Sequence, residues 1–536
     1  MADDKYTDVL IVGAGPAGLM MAAQLLRHGV QPTIIDAKPG PDKQSKAIIV
    51  HARSLELFRQ LGLADELLTQ GQPCYGIQLQ GHRQPLGTLD FSRLAATRTA
   101  FPFMHLVGQD KTEKLLLGRL TEKACPVTWE SRLVSLTQDD RGATAELLHK
   151  GIRETWRCGW VIGADGQNSA VRDLLNISLE RQRPDRTFFV ADVEVCHAHS
   201  RMIRLFFPKR TFLAIFPLGA TDCYRMMGPL PEKLEKAPRG PVGYAEIKRT
   251  VDDALGFELP VTRCLWIGRY VYRKGVVEQL ARQRCFLVGD AAHVASPITG
   301  TGMNKGLQEA TNLAWKLAGV VSGRLAPRVL HTYEQERMPV ARTGERSFGI
   351  DAVSRIWPPK LMHMFLAKAI GHIGTDQRRL RRAFDRMAHL DVHYRLGPLA
   401  VHHAAGGRVR AGDRLPYLSV FDEKTKTQTD LHRWCEKAGF VLLILGTISQ
   451  HHLHIIAQWM RQKYPREMHL YYLPYSVGNQ QVFEVFEVAP TGTKSVLIRP
   501  DMHIGYINDM LNVSLIDTYM EEVVGWKPFG HLPENT

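Results

Sequence analysis

Cysteine is scarce and carries no motif. The eight residues Cys74, Cys125, Cys158, Cys196, Cys223, Cys264, Cys285 and Cys435 include no CxxC pair, which argues against a zinc ribbon or a disulfide frame. They read as reduced thiols filling the core of a cytoplasmic protein. No apolar run is long enough to cross a bilayer, since even the stretch from Ile350 to Gly374 is broken by Asp351, Arg355, Pro358, Pro359, Lys360 and Lys368. The start, MADDKYTDVLIVG, lacks a basic n-region and a small-residue cleavage site, so nothing points to export. Glycine and proline show no collagenous or low-complexity excess, and no internal repeat is apparent. Acidic residues are outnumbered, 54 against 68 basic ones, giving a net charge of +14. Such a field favours anionic ligands such as dinucleotides but does not by itself imply nucleic acid.

What is present is enough chain for two to four domains, 536 residues at roughly 100 to 200 each. Val9 to Val12 is a β-branched run that ends in Gly13-Ala14-Gly15-Pro16-Ala17-Gly18 and opens a helical pattern closing at Gly29; a second strand follows at Thr33 to Asp36. This is a βαβ unit with GxGxxG at its turn. Gly13 permits the tight turn, Gly15 lets backbone approach a pyrophosphate, and Gly18 allows close helix–sheet packing. Asp36, with Ala37 and Lys38 beside it, ends the second strand where a carboxylate accepts from ribose hydroxyls, which favours FAD or NAD over NADP. A glycine-rich packing turn is the bland alternative.

Two more apolar strands, WVIGADG at 160–166 and CFLVGDAAH at 285–293, end in glycine and aspartate and read as buried parallel strands. Between them, residues 186 to 272 alternate with period 2 and predict a mostly antiparallel inserted sheet. Gly302 to Leu317 is helical, as is much of Tyr333 to His393, where Arg378, Arg379, Arg381 and Arg382 suit a solvated helix face. Strand, helix, strand, strand and helix from 440 to 525 predict a separate small α/β domain. His451, His452 and His454 at a helix start suggest surface histidines rather than a metal site.

The motifs GAGPAGL, GADG..S.VR and GDAAH...P..G.GMN..L.EA.NLAWKLA, in this order along the chain, resemble those of the group A FAD-dependent aromatic monooxygenases, the p-hydroxybenzoate hydroxylase and phenol hydroxylase-like family. The resemblance implies an α/β fold: a Rossmann-type FAD-binding domain (1–75, 101–180 and 281–345), an inserted substrate-binding sheet (76–100 and 181–280), a helical segment (346–410) and a thioredoxin-like domain (411–536). It implies that Asp36 binds the adenosine ribose, Gln109 the ribityl or phosphate region, and Asp290 the ribityl chain or pyrophosphate. Asp165 would hold the FAD side and help bring in the nicotinamide nucleotide. Pro297 would border the flavin, and Gly300, Gly302, Met303 and Asn304 would line its pyrimidine edge, where free N–H groups at a helix start favour an electron-rich oxygen. Lys46 stands where the family usually has Arg and lacks the planar fork; Arg53 either compensates or pairs locally.

The implied reaction is hydroxylation of an aromatic or polycyclic molecule with O2 and NADPH or NADH, through a flavin C4a-hydroperoxide. The absence of a second GxGxxG fits a nicotinamide nucleotide that binds transiently. Position in the family puts Ile203, Leu205, Leu213 and Ile215 on the substrate side, without a charged group, so that an apolar phenol, quinone or polycycle fits; ordinary core packing is the alternative. The C-terminal domain holds one thiol, Cys435, and a structural or dimer-contact role suits it better than disulfide exchange. Two other readings stay open: a flavin reductase or oxidase of the same fold that inserts no oxygen, and a non-catalytic FAD-binding partner protein.

Overall fold

The computed structural model describes residues 5–42, 45, 47–81, 85–94, 98–181, 186–196, 201–207, 212–219, 222–235, 240, 242–272, 275–294, 300–343, 359–422 and 425–528. The first strand, Lys5–Val12, lies at the centre of a sheet, parallel to Ile152–Gly163 on one side and Thr33–Ile35 on the other. Val127–Thr128 and Cys285–Leu287 extend it in the same sense. Val9 to Val12 and Val161 to Ile162 are buried, as expected of parallel strands covered on both faces. An antiparallel pair, Ser131–Gln138 and Ala143–His149, grows from the first half of Ile152–Gly163. Parallel pairing with Lys5–Val12 begins at Trp156 and runs on to Gly163, while the antiparallel pair occupies the strand's other edge as far as Cys158.

A second sheet of seven strands draws on two separate stretches of chain. Its order is Val261–Tyr272, Arg186–Val195, Cys223–Pro229, Leu213–Pro217, Ile203–Phe207, Gly76–Gly81 and Pro85–Asp90. Only Ile203–Phe207 and Gly76–Gly81 run parallel. One face packs on the helix Tyr244–Leu255, and the other merges with the main core. This arrangement corrects the grouping of Ile203, Leu205, Leu213 and Ile215 as one wall. In the antiparallel register Leu205 faces Ala214 while Arg204 faces Ile215, and opposed residues share a face. Ile203 and Leu205 thus lie on the main-core side, and Leu213 and Ile215 lie under the helix with Ile247 and Val251. Period 2 fixes faces within one strand; the register between strands decides which faces coincide.

The helix Thr301–Val321 runs through the centre and is followed by His331–Thr343, Pro359–Thr375 and Gln377–Met387. Asp376 caps the last of these by accepting from the Arg378 N–H at 2.8 Å, and Arg378, Arg381 and Arg382 are exposed. The C-terminal unit is a five-stranded sheet in the order Val401–His403, Ile504–Asn508, Thr493–Ile498, Phe440–Gly446 and Met468–Leu473. Val401–His403 is its edge strand, so the unit starts earlier than position 411.

Nor is this unit a separate body. Glu336 accepts from Arg499 Nη2 at 2.9 Å and from Lys316 Nζ at 2.8 Å; Asp501 accepts from Arg499 and from Asn312 Nδ2. Arg53 donates to Glu56 Oε2 at 3.1 Å and to the Asp501 carbonyl at 2.6 Å, while Arg414 reaches Glu56 from the other side. All of these side chains are buried. Arg53 therefore pairs locally, in the seam. Two anions and two cations in the Lys316, Glu336, Arg499 and Asp501 group cancel, and removing one leaves an uncompensated charge at a cost of about 3–5 kcal/mol.

The cysteines are unpaired. Cys196 is exposed and Cys223 and Cys264 are half-buried, so only the other five are core residues. No helix among the described residues is long and apolar enough to cross a membrane.

Candidate active site

The glycine loop is built by backbone demands. Gly13 has φ +106°, and a Cβ there would meet the Ala164 carbonyl oxygen at 2.4 Å; a Cβ on Gly18 would meet the Gly13 oxygen at 1.9 Å. Gly15 differs: an added Cβ meets nothing within 4 Å. It stands at the start of the helix Pro16–Arg27, with Pro16 and Ala17 in the first turn, and no side chain caps that helix. Open space at an uncapped helix N-terminus is the cradle a pyrophosphate fills. Asp36 faces the same loop: its Oδ2 accepts from the Ala14 N–H at 2.8 Å and its Oδ1 from the Lys38 N–H at 2.9 Å. Ala37 is exposed, and Lys38 Nζ pairs with Asp42 at 3.2 Å.

Asp290 lies in the turn Gly289–Ala291, directly after the strand Cys285–Leu287. Gly289, at φ +63°, lets this turn approach the glycine-loop helix, where a Cβ added to it would stand 3.0 Å from the Ala17 Cβ. Gly306 packs at the same point, where a Cβ would stand 3.0 Å from the Gly289 Cα and 3.1 Å from the Ala17 Cβ. Two helix starts and one turn thereby converge. Gly300, at φ +61°, precedes Thr301–Val321 and, as its N-cap residue, brings no side chain to the helix start, where Gly302 and Met303 are half-buried.

Asn304 differs from the expectation. Its side chain is fully buried, with Nδ2 donating to the carbonyls of Ile49 at 2.8 Å and Gly300 at 2.7 Å and Oδ1 accepting from the His51 N–H at 2.9 Å. The amide fastens the chain around Ile49 to the helix start and is not turned to a ligand edge.

Asp165 also serves the backbone. Oδ1 accepts from Ser169 Oγ at 2.5 Å and Oδ2 from the Val171 N–H at 3.1 Å, tying the motif to the short helix Ala170–Leu174; burial raises its carboxyl. Gln109 starts the helix Gln109–Glu122, accepts from the Ala47 N–H at 3.1 Å and donates to Glu113 at 2.8 Å. It holds the chain at Ala47. Lys46 and Pro297 lie outside the described residues. His451, His452 and His454 are exposed, and no metal-binding group of His, Cys, Asp and Glu occurs among the described residues.

Three positioning residues were not singled out by sequence. Glu309, fully buried, accepts from the Gly289 N–H at 2.9 Å and from His293 Nε2 at 2.6 Å, with Arg337 at 3.6 Å. Burial opposes its ionisation, but His293 and Arg337 outweigh that and hold the carboxyl low. Arg172 Nη1 donates to the Ala291 carbonyl at 3.3 Å and so links the Asp165 loop to the Asp290 turn. Glu309 and Arg172 sit inside the quoted motifs, which was the available signal; Arg337 lies outside them.

The seven-stranded sheet reaches the same place. Val261–Tyr272 leads into Gly275–Val277, which pairs with His293–Val294 beside the Asp290 turn. The Tyr270 phenol is raised by burial and then by the Asp290 carboxylate. The four positions named on the substrate side carry no charge, but the main-core face of this sheet also holds Arg225 and Asp192, paired through two hydrogen bonds of 2.7 Å. The glycine cradle, the carboxylates and the two helix starts with glycine at the cap together fit FAD.

Comparison with known proteins agrees. Residues 6–347 match the family model described as an FAD binding domain. The 6-methylpretetramide 4-monooxygenase of Streptomyces rimosus is 34% identical over 73% of this chain and 70% of its own length. Pentachlorophenol 4-monooxygenase of Sphingobium chlorophenolicum is 34% identical over 62% of each chain. Among solved structures, the OxyS anhydrotetracycline hydroxylase of Streptomyces rimosus superposes with a TM-score of 0.78 over 98% of this chain and 100% of its own, at 26% identity.

Proposed function

Because the chain belongs to the FAD-binding-domain family of flavin-dependent aromatic monooxygenases, we propose that it inserts one atom of dioxygen into a fused-ring aromatic compound, with NADH or NADPH as reductant. The observation that carries this reading is the convergence at Ala17, Gly289 and Gly306 of two helix starts with glycine at the cap and the Asp290 turn, beside the Tyr270 end of an aromatic sheet face.

FAD, when bound, supplies the redox chemistry and the activation of dioxygen that no side chain provides. The protein's part is to bind, orient and keep dry. Gly15 and the start of Pro16–Arg27 receive the pyrophosphate, Asp36 the ribose and Asp290 the ribityl hydroxyls. The first turn of Thr301–Val321 presents backbone N–H groups to an electron-rich ring edge. Phe188, Val190, Leu205 and Met227, all buried on the facing sheet, exclude water from the reacting centre. Residues 1–75, 101–180 and 281–345 are assigned to the cofactor, and 76–100 and 181–280 to the substrate.

The C-terminal unit is assigned a structural role. Its one thiol, Cys435, is pushed up to about 12 by burial, away from the thiolate that exchange requires. Eight unpaired cysteines support a reducing, cytoplasmic setting.

The test is anaerobic bleaching of the FAD-loaded enzyme by NADPH and by NADH in a stopped-flow spectrometer, with and without fused-ring phenols. Acceleration by such a compound, followed in air by a product heavier by one oxygen, is expected. Rapid bleaching that ignores every compound and yields no oxygenated product contradicts the reading.

A further inference from the structure

The main-core face of the seven-stranded sheet can be read row by row from its registers. Phe188 lies opposite Tyr270 in the row nearest the Asp290 turn. The next row holds Gly268, Val190, Met227, Ala214 and Leu205, a floor of mostly small or slender side chains. Trp266 leans over it, since a Cβ on Gly268 would meet the indole at 2.6 Å. The third row is Trp266, Asp192, Arg225 and Phe216, each opposite the next across four strands. An apolar floor is thus bounded by an aromatic row near the cofactor and a row with one ion pair at its far side.

That pair has a polarity of its own. The Arg225 side chain is 1% exposed and that of Asp192 is 18% exposed, so the guanidinium is sunk in the sheet and the carboxylate reaches the surface of the face. Arg225 also stacks toward Trp266, at 5.8 Å from the ring. A buried ion pair among Phe, Val, Met and Ala is a poor stabiliser compared with apolar residues of similar size. What it provides is an ionised, oriented acceptor: Arg225 Nε and Nη2 each bind one oxygen, which leaves each oxygen a further lone pair.

From the Phe188 row to the Asp192 row is four residues of strand, roughly 13 Å. We propose that Asp192, held by Arg225 and flanked by Trp266, is the distal anchor of the substrate pocket, accepting a hydrogen bond from a hydroxyl or amide N–H at the far end of a compound of several linearly fused rings. The proposal rests on the monooxygenase reading for its near end. A single-ring phenol reacting at the cofactor cannot reach the anchor, and an anionic group at the far end is repelled by it.

The test is binding to the FAD-loaded enzyme without NADPH, followed by perturbation of the flavin absorbance, with anhydrotetracycline and alizarin as fused-ring probes and pentachlorophenol as the single-ring probe. Asp192→Asn keeps the shape and removes the charge; it is expected to weaken both fused-ring probes about tenfold and leave pentachlorophenol within about twofold, with FAD content unchanged. Trp266→Phe, which leaves the ion pair in place, is expected to weaken the fused-ring probes alone by a smaller factor. Equal effects on all probes, no effect on the fused-ring ones, or failure of the wild type to bind any fused-ring probe overturns the anchor. Because this readout needs no turnover, an Asp192-dependent affinity without oxygenated product keeps the anchor and removes the monooxygenase reading instead.

Discussion

The helix Thr301–Val321 is held by opposite means at its two ends. At its start the partners are backbone and glycine: Gly300 turns, Gly306 admits Gly289 and Ala17, and the Asn304 amide bonds the backbone of Ile49, His51 and Gly300. Farther along, Asn312 and Lys316 are locked to Glu336, Arg499 and Asp501, all buried. The first arrangement leaves a binding surface; the second adds no surface and fixes the helix against the C-terminal unit. Binding and anchoring are thus divided along a single element.

The contrast is broken most severely at the ionic end. Glu336→Ala leaves Asp501 alone against the two buried cations Lys316 and Arg499, one positive charge in excess, and denaturant unfolding is expected to show a loss of about 3–5 kcal/mol. At the glycine end, two neighbours are expected to part ways. Gly18→Ala forces its Cβ onto the Gly13 oxygen and is expected to destabilise the apoprotein by roughly 1–3 kcal/mol, measured by thermal unfolding. Gly15→Ala, in a conformation any residue adopts and with open space around it, is expected to leave the apoprotein within about 0.5 kcal/mol while FAD affinity, measured by fluorescence titration, falls about tenfold or more.

A pH dependence sharpens the ionic side. Burial opposes ionisation of Glu336, but Arg499 and Lys316 outweigh it and push the carboxyl down to about 2 from its ordinary 4.5. A lowered carboxyl stabilises the fold fully above 4.5 and loses that contribution as pH falls toward 2, because the unfolded chain binds the proton first. Over this window the wild type is therefore expected to lose stability more steeply with acid than Glu336→Gln, as followed by chemical denaturation at stepped pH. The smallest effect belongs outside both regions: Arg381→Gln, on the exposed face of Gln377–Met387, is expected to change stability by no more than about 0.5 kcal/mol.

The same division governs what could be read from the chain. Gly13, Gly15, Gly18, Asp36 and Asp290 stand in local motifs whose spacing expresses a backbone requirement, so the strand ends and the cofactor class were legible. The ionic seam joins residues at 53, 56, 316, 336, 414, 499 and 501, and no local pattern announces a contact between side chains so far apart. Asn304 shows the limit within a motif: its position was legible, but the direction of its side chain depends on the chain around Ile49. Ile203 and Leu213 show it for sheets, because alternation places a side chain on one of two faces and only the strand register says which face it shares with a neighbour. Arg225 and Asp192 became visible as a pair for the same reason.

The central claim is that this site transfers oxygen, and isotopically heavy dioxygen tests it most directly. With FAD-loaded enzyme, NADPH and a fused-ring phenol that accelerates flavin bleaching, the account predicts a product carrying one heavy oxygen atom from the gas. Oxidation of NADPH at full rate with no heavy oxygen in any organic product would contradict it.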